Sequence, residues 1–290
     1  MLRRAILIAG PTASGKSSLA LRLAERDGGV IINTDSMQVY RVLQKLSARP
    51  GEGEMARAQH YLYGFVDPNV RFSAGAWLRA ATDLVNSGQV ANKTLIFTGG
   101  TGLYFQGLTD GFTAVPDVPE EIVKQVSEQV LGLSRHERAA LLFERDRETA
   151  QQLKEPDQQR VIRALSVLLA TGRSLSSWQK EKKSGVLAGF ELKKLVLSPD
   201  RAELDQRIKR RFSLMLEEGA IDEVSALMAQ NIGPDLPVMK AIGVRQIADW
   251  QAGIISREEV LTSSVTATRQ YAKRQRTWFR KKMKNWEWIA

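Results

Sequence analysis

The sequence predicts an α/β protein, a parallel sheet flanked by helices and interrupted by an all-helical insertion. Three observations predict it. An apolar run of strand length, Arg4 to Ala9, passes into Gly10-Pro11-Thr12-Ala13-Ser14-Gly15-Lys16-Ser17, after which Leu19, Ala20, Leu23 and Ala24 fall at helical spacing. Short apolar runs recur at 30–33, 61–66, 94–98 and 193–197, separated by longer stretches, as in strands joined by helical crossovers. From Pro116 the texture changes to charged amphipathic helices with no strand between them, so the expected organisation is core 1–112, insertion 113–186 and core 187–290.

Residues 10–17 read G-x-x-x-x-G-K-S between a strand and a helix, the context that motif requires. The core is therefore read as P-loop NTPase-like. Gly10 and Gly15 let the backbone come close and take strained dihedrals, so that main-chain N–H groups and a helix N-terminus point at an anion. Lys16 adds a point charge for a terminal phosphate, and Ser17 a hydroxyl for Mg2+. The bland alternative is a glycine turn that binds nothing. The loop specifies a polyphosphate without saying which one.

Composition narrows the chemistry. The chain has 290 residues, enough to bury about three-quarters of its unfolded surface. It has no cysteine and only His60 and His136, which excludes disulfides, thiolate zinc sites, cysteine nucleophiles and histidine-rich metal centres. The first strand is too short for a signal or membrane segment, and no later apolar run reaches about 18 residues, so a cytoplasmic protein is expected. Net charge is +10, and its distribution matters more than its size. Between Val260 and Trp286 there is no acidic residue and there are eight basic ones, which leaves the rest of the chain near +2. Such a basic end is the footprint of a polyanionic partner.

In chain order, Gly28-Gly29 closes the first helix and residues 30–33 form a second buried strand ending at Thr34-Asp35-Ser36. Ligands of doubly wound sheets sit beyond the carboxyl ends of the strands, so Asp35 is expected to face the P-loop crevice as a metal ligand or base, or else to be a turn aspartate. Residues 44–54 read as a loop, 61–66 as a third strand after His60, and Ser73 as the cap of a helix through Val85. His60 has two readings, packed or catalytic. The fourth strand, 94–98, runs into Gly99-Gly100-Thr101-Gly102 where motor-type NTPases place a metal-holding aspartate, which argues against ATP-hydrolysing machinery.

The insertion contains helices at 120–130 and 134–144, and a third at 157–171 that Gly172 ends. In that third helix Arg160 and Arg163 share a face opposite Val161 and Leu165. His136 is expected at the surface. Strand character returns at 193–197, and a helix from Pro199-Asp200 buries Leu204, Ile208, Phe212 and Met215 while Arg207 and Arg211 share a neighbouring face, which reads either as a solvated charge run or as one arginine reaching a phosphate. Residues 265–284 form a basic helix with Tyr271, Trp278 and Phe279 interleaved, and Trp286 just beyond. Those aromatics either stack on bases or pack the helix onto the core.

Several blocks together resemble the bacterial tRNA dimethylallyltransferase family. They are 10–17, Asp35-Ser36 with Tyr40-Arg41, residues 99–104, Gln159-Arg160-x-x-Arg163, Arg207-Ile-x-x-Arg211-Phe-x-x-Met215, Ala241-Ile-Gly243 and Thr268-Arg-Gln-x-Ala-Lys-Arg-Gln-x-Thr-Trp278. They stand in family order and span nearly the whole chain. Leu46-Ser47-Ala48-Arg49-Pro50 departs from the family's Gly-Thr-Ala-Lys-Pro run but keeps a basic residue before proline. Val123 stands where a basic side chain can touch tRNA.

The resemblance implies a monomer that binds Mg2+, dimethylallyl diphosphate and the anticodon stem-loop of tRNA. It implies Asp35 as general base, with Lys16, Thr101 and Arg211 as the other catalytic groups and residues 10–17 as the diphosphate loop. It further implies tRNA contacts at Asp35, Ser36, Met37, Gln38, Thr101, Gln159, Arg160, Val161, Ile162, Arg163, Lys240, Gly243 and Arg245. Arg269, Lys273 and Arg276 of the basic helix join them. The activity so implied is transfer of a dimethylallyl group to the N6 amine of the adenosine 3′ to the anticodon. An adenylate isopentenyltransferase, a small-metabolite kinase and a non-enzymatic RNA-binding module are the competing readings. The first needs neither the insertion nor the basic helix, the second would use ATP and is not excluded by the P-loop alone, and the last leaves Lys16, Ser17 and Asp35 without a purpose.

Overall fold

The computed structural model describes residues 3–113, 115–153, 157–181 and 184–290. The chain divides into two compact units, Met1–Thr109 with Val186–Ala290, and Asp110–Gly185.

In the larger unit, β1 (Arg4–Ala9), β2 (Val30–Asn33), β3 (His60–Tyr61), β4 (Leu95–Gly99), β5 (Glu191–Leu197) and β6 (Glu287–Ile289) form one sheet in the order β3-β2-β4-β1-β5-β6. Every pairing is parallel. Parallel strands need crossovers that cover both faces, which is why β1, β2 and β4 are apolar and almost wholly buried rather than alternating. Helices α1 (Lys16–Asp27), α2 (Glu52–Arg57), α3 (Ala74–Asn86) and α4 (Gly102–Thr109) accompany the first four strands. The carboxyl ends of β1, β2 and β4 therefore lie side by side, with the P-loop, Asp35 and Thr101 at their tips.

The smaller unit is wholly helical among its described residues: α5 (Glu120–Val130), α6 (Arg135–Arg145), α7 (Arg147–Gln152), α8 (Gln158–Thr171) and α9 (Leu175–Gln179). Val126, Val130, Leu142, Val161, Ala164 and Leu165 make its own core. Asp157 caps α8 through the Arg160 amide, and Gly172 ends it with a left-handed φ of 67°. The chain then returns through β5 to α10 (Arg201–Glu217), α11 (Ala220–Met228), α12 (Val244–Gln251) and α13 (Arg257–Lys282).

Three elements differ from the sequence expectation. The third strand stops after Tyr61 because Leu62 takes a left-handed φ of 61° while its carbonyl is held by the Asn33 side-chain amide at 2.9 Å. Residues 63–66 bend away instead, and Val66 forms only an isolated parallel bridge with Tyr40, outside the sheet's strands. The stretch 44–54 ends in the first turn of α2, whose Gly51 amide donates to Glu54 at 3.2 Å. The last helix begins eight residues before Val265: Ser256 and Glu259 cap each other's amides at 2.7 and 3.2 Å, a reciprocal capping box.

Candidate active site

The P-loop folds as a concave anion cradle. Ala13 and Gly15 both have positive φ, 64° and 90°, which turns successive N–H groups toward one side before α1 begins. Lys16 is half-buried and its ammonium donates back to the Pro11 carbonyl at 3.4 Å. From α10, Arg207 donates to the Ser14 carbonyl at 3.4 Å and Arg211 to the Thr12 hydroxyl, so two arginines one turn apart grip the same loop. Ser17 is exposed in the first turn of α1.

Burial lowers the Lys16 pKa to about 8; the charge of Asp35 works to raise it and that of Arg211 to lower it. Burial likewise lowers that of Arg211, again opposed by Asp35. Two poorly hydrated cations facing one carboxylate are poised to gain strongly from an incoming anion.

Asp35 is placed by its own strand. Asn33, fully buried, accepts from the Asp35 amide at 2.7 Å and donates to the Asp35 carbonyl at 2.9 Å, and Trp77 donates to the Asn33 carbonyl at 3.1 Å. Asp35 Oδ1 accepts from the Met37 amide at 2.9 Å, which leaves Oδ2 on the side of Gly100. Thr101 completes the triangle: its amide donates to the Thr34 carbonyl at 3.0 Å, and its hydroxyl accepts from the Ser36 amide at 3.0 Å. Tyr63, Tyr104 and Tyr271 have pKa values raised first by burial and then by the charge of Asp35, so the carboxylate sits among aromatic, poorly hydrated walls.

A cavity of ≈ 570 Å³ opens beside the loop. Lys16, Lys45, Arg49, Arg207, Arg210 and Arg211 line it against only Glu54 and Glu218. The loop carrying Lys45 is pinned from α11, where Glu223 accepts the Lys45 and Leu46 amides at 2.7 and 3.0 Å. Arg49 donates to the Tyr40 carbonyl at 2.8 Å and occupies the position of the family's basic residue before proline. Lys45, Arg210 and Glu223 belong to no local motif, so nothing in the sequence marks them as parts of this wall.

The structure brings Lys16, Arg211, Asp35, Ser36 and Thr101 together and corrects other expectations. Thr12 is held by protein at both ends, since its amide donates to Gln275 at 2.9 Å, so that amide is not free for a phosphate oxygen. Gln38 spends its side-chain NH2 on the Ser47 and Ala48 carbonyls, both at 2.9 Å. Met37 packs against the main core. Val161, 0% exposed, belongs to the core of the helical unit, and Ile162 packs beside it, leaving Gln159, Arg160 and Arg163 as the exposed groups of that turn. Gly243 is a buried helix start with φ of 104°, its amide donating to Gln246 at 3.0 Å, and an added Cβ would come within 2.6 Å of Leu46.

Lys240 and Arg245 are exposed, the latter 3.5 Å from Asp249, and Arg269 lies 3.5 Å from Asp205 on α10. Lys273 is exposed and Arg276 half-buried. The aromatics of α13 serve packing: Phe279 is 1% exposed and Trp278 lies against Gly102, while Trp286 packs edge-on to Phe105. His60 is structural, its Nδ1 2.8 Å from the Ala58 carbonyl and its ring edge-on to Tyr63. His136 is exposed on α6.

A parallel sheet whose first strand feeds such a loop defines a P-loop protein. A family model described as IPP transferase matches residues 38–282, and the chain belongs to that family. It is 49% identical over 279 residues to a tRNA dimethylallyltransferase of Mesorhizobium japonicum, covering 96% of this chain and 87% of that one. It is also 49% identical to that of Allorhizobium ampelinum, covering 98% of this chain and 93% of the relative. Among solved structures, a tRNA isopentenylpyrophosphate transferase of Bacillus halodurans superposes with a TM-score of 0.69 at 31% identity, over 99% and 89% of the two chains. A eukaryotic dimethylallyltransferase acting on tRNA superposes with a TM-score of 0.81 at 27% identity, over 96% of this chain and 70% of that one. The family match begins after the P-loop and Asp35, whereas the two relatives align over 96% and 98% of this chain.

Proposed function

We propose that this protein transfers the dimethylallyl group of dimethylallyl diphosphate to the N6 amine of the adenosine 3′ to the anticodon in tRNA, releasing diphosphate. The observation that carries this reading is the meeting of two poorly hydrated cations, Lys16 after β1 and Arg211 from α10, with the carboxylate of Asp35 after β2, at the carboxyl edge of the sheet where β1 and β2 flank β4. In the transfer, a bond forms between N6 and the allylic carbon while the carbon–oxygen bond to diphosphate breaks. The departing oxygen takes the electron pair, and Asp35 accepts the N6 proton. Negative charge grows on the leaving group, where Lys16, Arg211 and the loop amides stand ready. One such preorganised donor is typically worth about 3 kcal/mol.

Mg2+ fits as an ion brought largely by its substrate. No group of three or more acidic or histidine residues gathers among the described residues, and Mg2+ bound to polyphosphates commonly needs only one or two protein oxygens. Ser17 is the protein hydroxyl assigned to it, and the ion would neutralise charge on the diphosphate. The amine of a stacked base is inaccessible, so the target adenosine is splayed out of the anticodon loop. We assign Gln159, Arg160, Arg163, Lys240, Arg245 and the exposed face of α13 to RNA contacts. No helix of the described residues is long and apolar enough to cross a membrane, and we assign the protein to the cytoplasm as a monomer.

The test is incubation with Mg2+, dimethylallyl diphosphate and either an unmodified anticodon stem-loop or AMP, read by mass spectrometry. One added dimethylallyl group on the stem-loop alone is the expected result. Addition to AMP alone would reassign the acceptor, and phosphate transfer from ATP without prenylation would make the protein a kinase. A second expectation concerns affinity. Reversing Lys273 and Arg276 to glutamate lowers stem-loop binding at low salt and flattens the dependence of log K on log salt by about 0.7–0.9 for each phosphate that is no longer neutralised. Unchanged affinity and slope would remove α13 from the interface.

A further inference from the structure

The buried residues of α13 are Val260, Ser264, Val265, Thr268, Ala272, Gln275 and Phe279, and among them Gln275 alone carries a side-chain amide. It is 5% exposed, so both ends of its amide must find partners inside the protein. They do, on two turns outside its own helix, while Tyr271 of α13 also interacts with the same amide. Oε1 accepts from the Thr12 amide in the P-loop at 2.9 Å, and Nε2 donates to the Gly100 carbonyl, one residue before Thr101, at 3.0 Å. Thr12 offers only a donor there and Gly100 only an acceptor, so the side chain has a single orientation that satisfies both.

The approach is close as well as directional. A Cβ on Gly100 would come within 2.1 Å of Nε2, and one on Gly102 within 2.2 Å of the Trp278 ring, one helical turn from Gln275. Beyond each partner lies a group of the site. The Thr12 hydroxyl accepts from Arg211, and the residue after Gly100 holds the Ser36 amide through its hydroxyl at 3.0 Å, beside Asp35.

We infer that Gln275 is a positioning residue for the transfer reaction. By one amide it fixes the spacing between the loop that holds the leaving diphosphate and the turn that carries Thr101, and it ties both to the basic helix. This rests on the function proposed above. A misplacement of about 1 Å at such a site costs on the order of 10²-fold in rate.

The experiment compares Gln275→Met, which keeps length but pairs with neither turn, and Gln275→Glu, with the wild type. For Gln275→Met we expect a folded protein with stem-loop affinity near that of the wild type. We expect its kcat to fall on the order of 10²-fold and its affinity for inorganic pyrophosphate to fall roughly tenfold. Gln275→Glu carries the discriminating readout. A buried carboxyl titrates above its ordinary range, and only its protonated form can donate to the Gly100 carbonyl while accepting from Thr12. Its kcat relative to wild type at the same pH therefore rises as pH falls.

Wild-type kcat and pyrophosphate affinity in Gln275→Met would overturn the inference. So would losses that follow only the melted fraction, with no recovery of Gln275→Glu at low pH. If the wild type itself transfers nothing to the stem-loop, the proposed function fails. Pyrophosphate binding still decides then whether Gln275 holds the loop.

Discussion

Asp35→Ala lowers kcat for dimethylallyl transfer by about 10²–10⁴-fold and leaves stem-loop binding nearly unchanged. The exocyclic amine of adenine is a weak nucleophile, and its proton must leave as the new carbon–nitrogen bond forms. Oδ1 is engaged by the Met37 amide at 2.9 Å, and the peptide is clamped by Asn33 on both sides, so the carboxylate is held rather than free to swing. Asp35→Asn keeps the shape and removes the proton acceptor, and the same loss of kcat is expected from it. It has a second consequence. The charge of Asp35 raises the Lys16 pKa, so its removal moves the alkaline limb of kcat/KM for the donor to lower pH. Turnover at the wild-type rate by either variant would refute the general-base role.

Lys16→Met lowers kcat/KM for dimethylallyl diphosphate by about 10²–10³-fold. In the free protein burial has already lowered the Lys16 pKa to about 8, so part of its desolvation cost is met before substrate arrives. The sign of the pH dependence follows. Under the proposed function the ammonium form is the one that grips the diphosphate, and it prevails below pH about 8 and is lost above it. As pH rises past that value, kcat/KM for the donor falls, approaching tenfold per pH unit. The bound anion favours the charged form, so kcat at saturating donor holds to higher pH. Lys16→Met abolishes this limb. A wild-type profile flat from pH 7 to 10 would show that Lys16 does not titrate in the free protein.

The basic helix and the P-loop were legible for different reasons. Gly10 to Ser17 is a local motif in which spacing alone dictates a turn between strand and helix, and eight basic residues without an acidic one need no structure to be noticed. Asp35 was legible because a parallel strand delivers whatever follows it to the same edge of the sheet. Val161 shows where motif reading overreaches: helical period turns it into the core of the helical unit with Ile162 packed against that core, between the polar candidates Gln159, Arg160 and Arg163. The role of Ser256 and Glu259 in starting α13 was readable from their three-residue spacing, and the end of the third strand was not, because Leu62 breaks it by a backbone angle that its side chain does not announce.

Fold class, the P-loop turn, the placement of Asp35 at the end of the second strand and the concentration of basic residues near the C-terminus were thus legible in the sequence, since each depends on residues within one turn or one strand of each other. The basic wall of the cavity and the Gln275 clasp were decided only by tertiary structure. Lys45, Arg49 and Arg210 converge because Glu223 pins one loop and α10 packs beside it. Gln275 meets Thr12 and Gly100 because α13 returns across both turns. Such pairings join residues far apart in the chain, and no local spacing encodes which of them will meet.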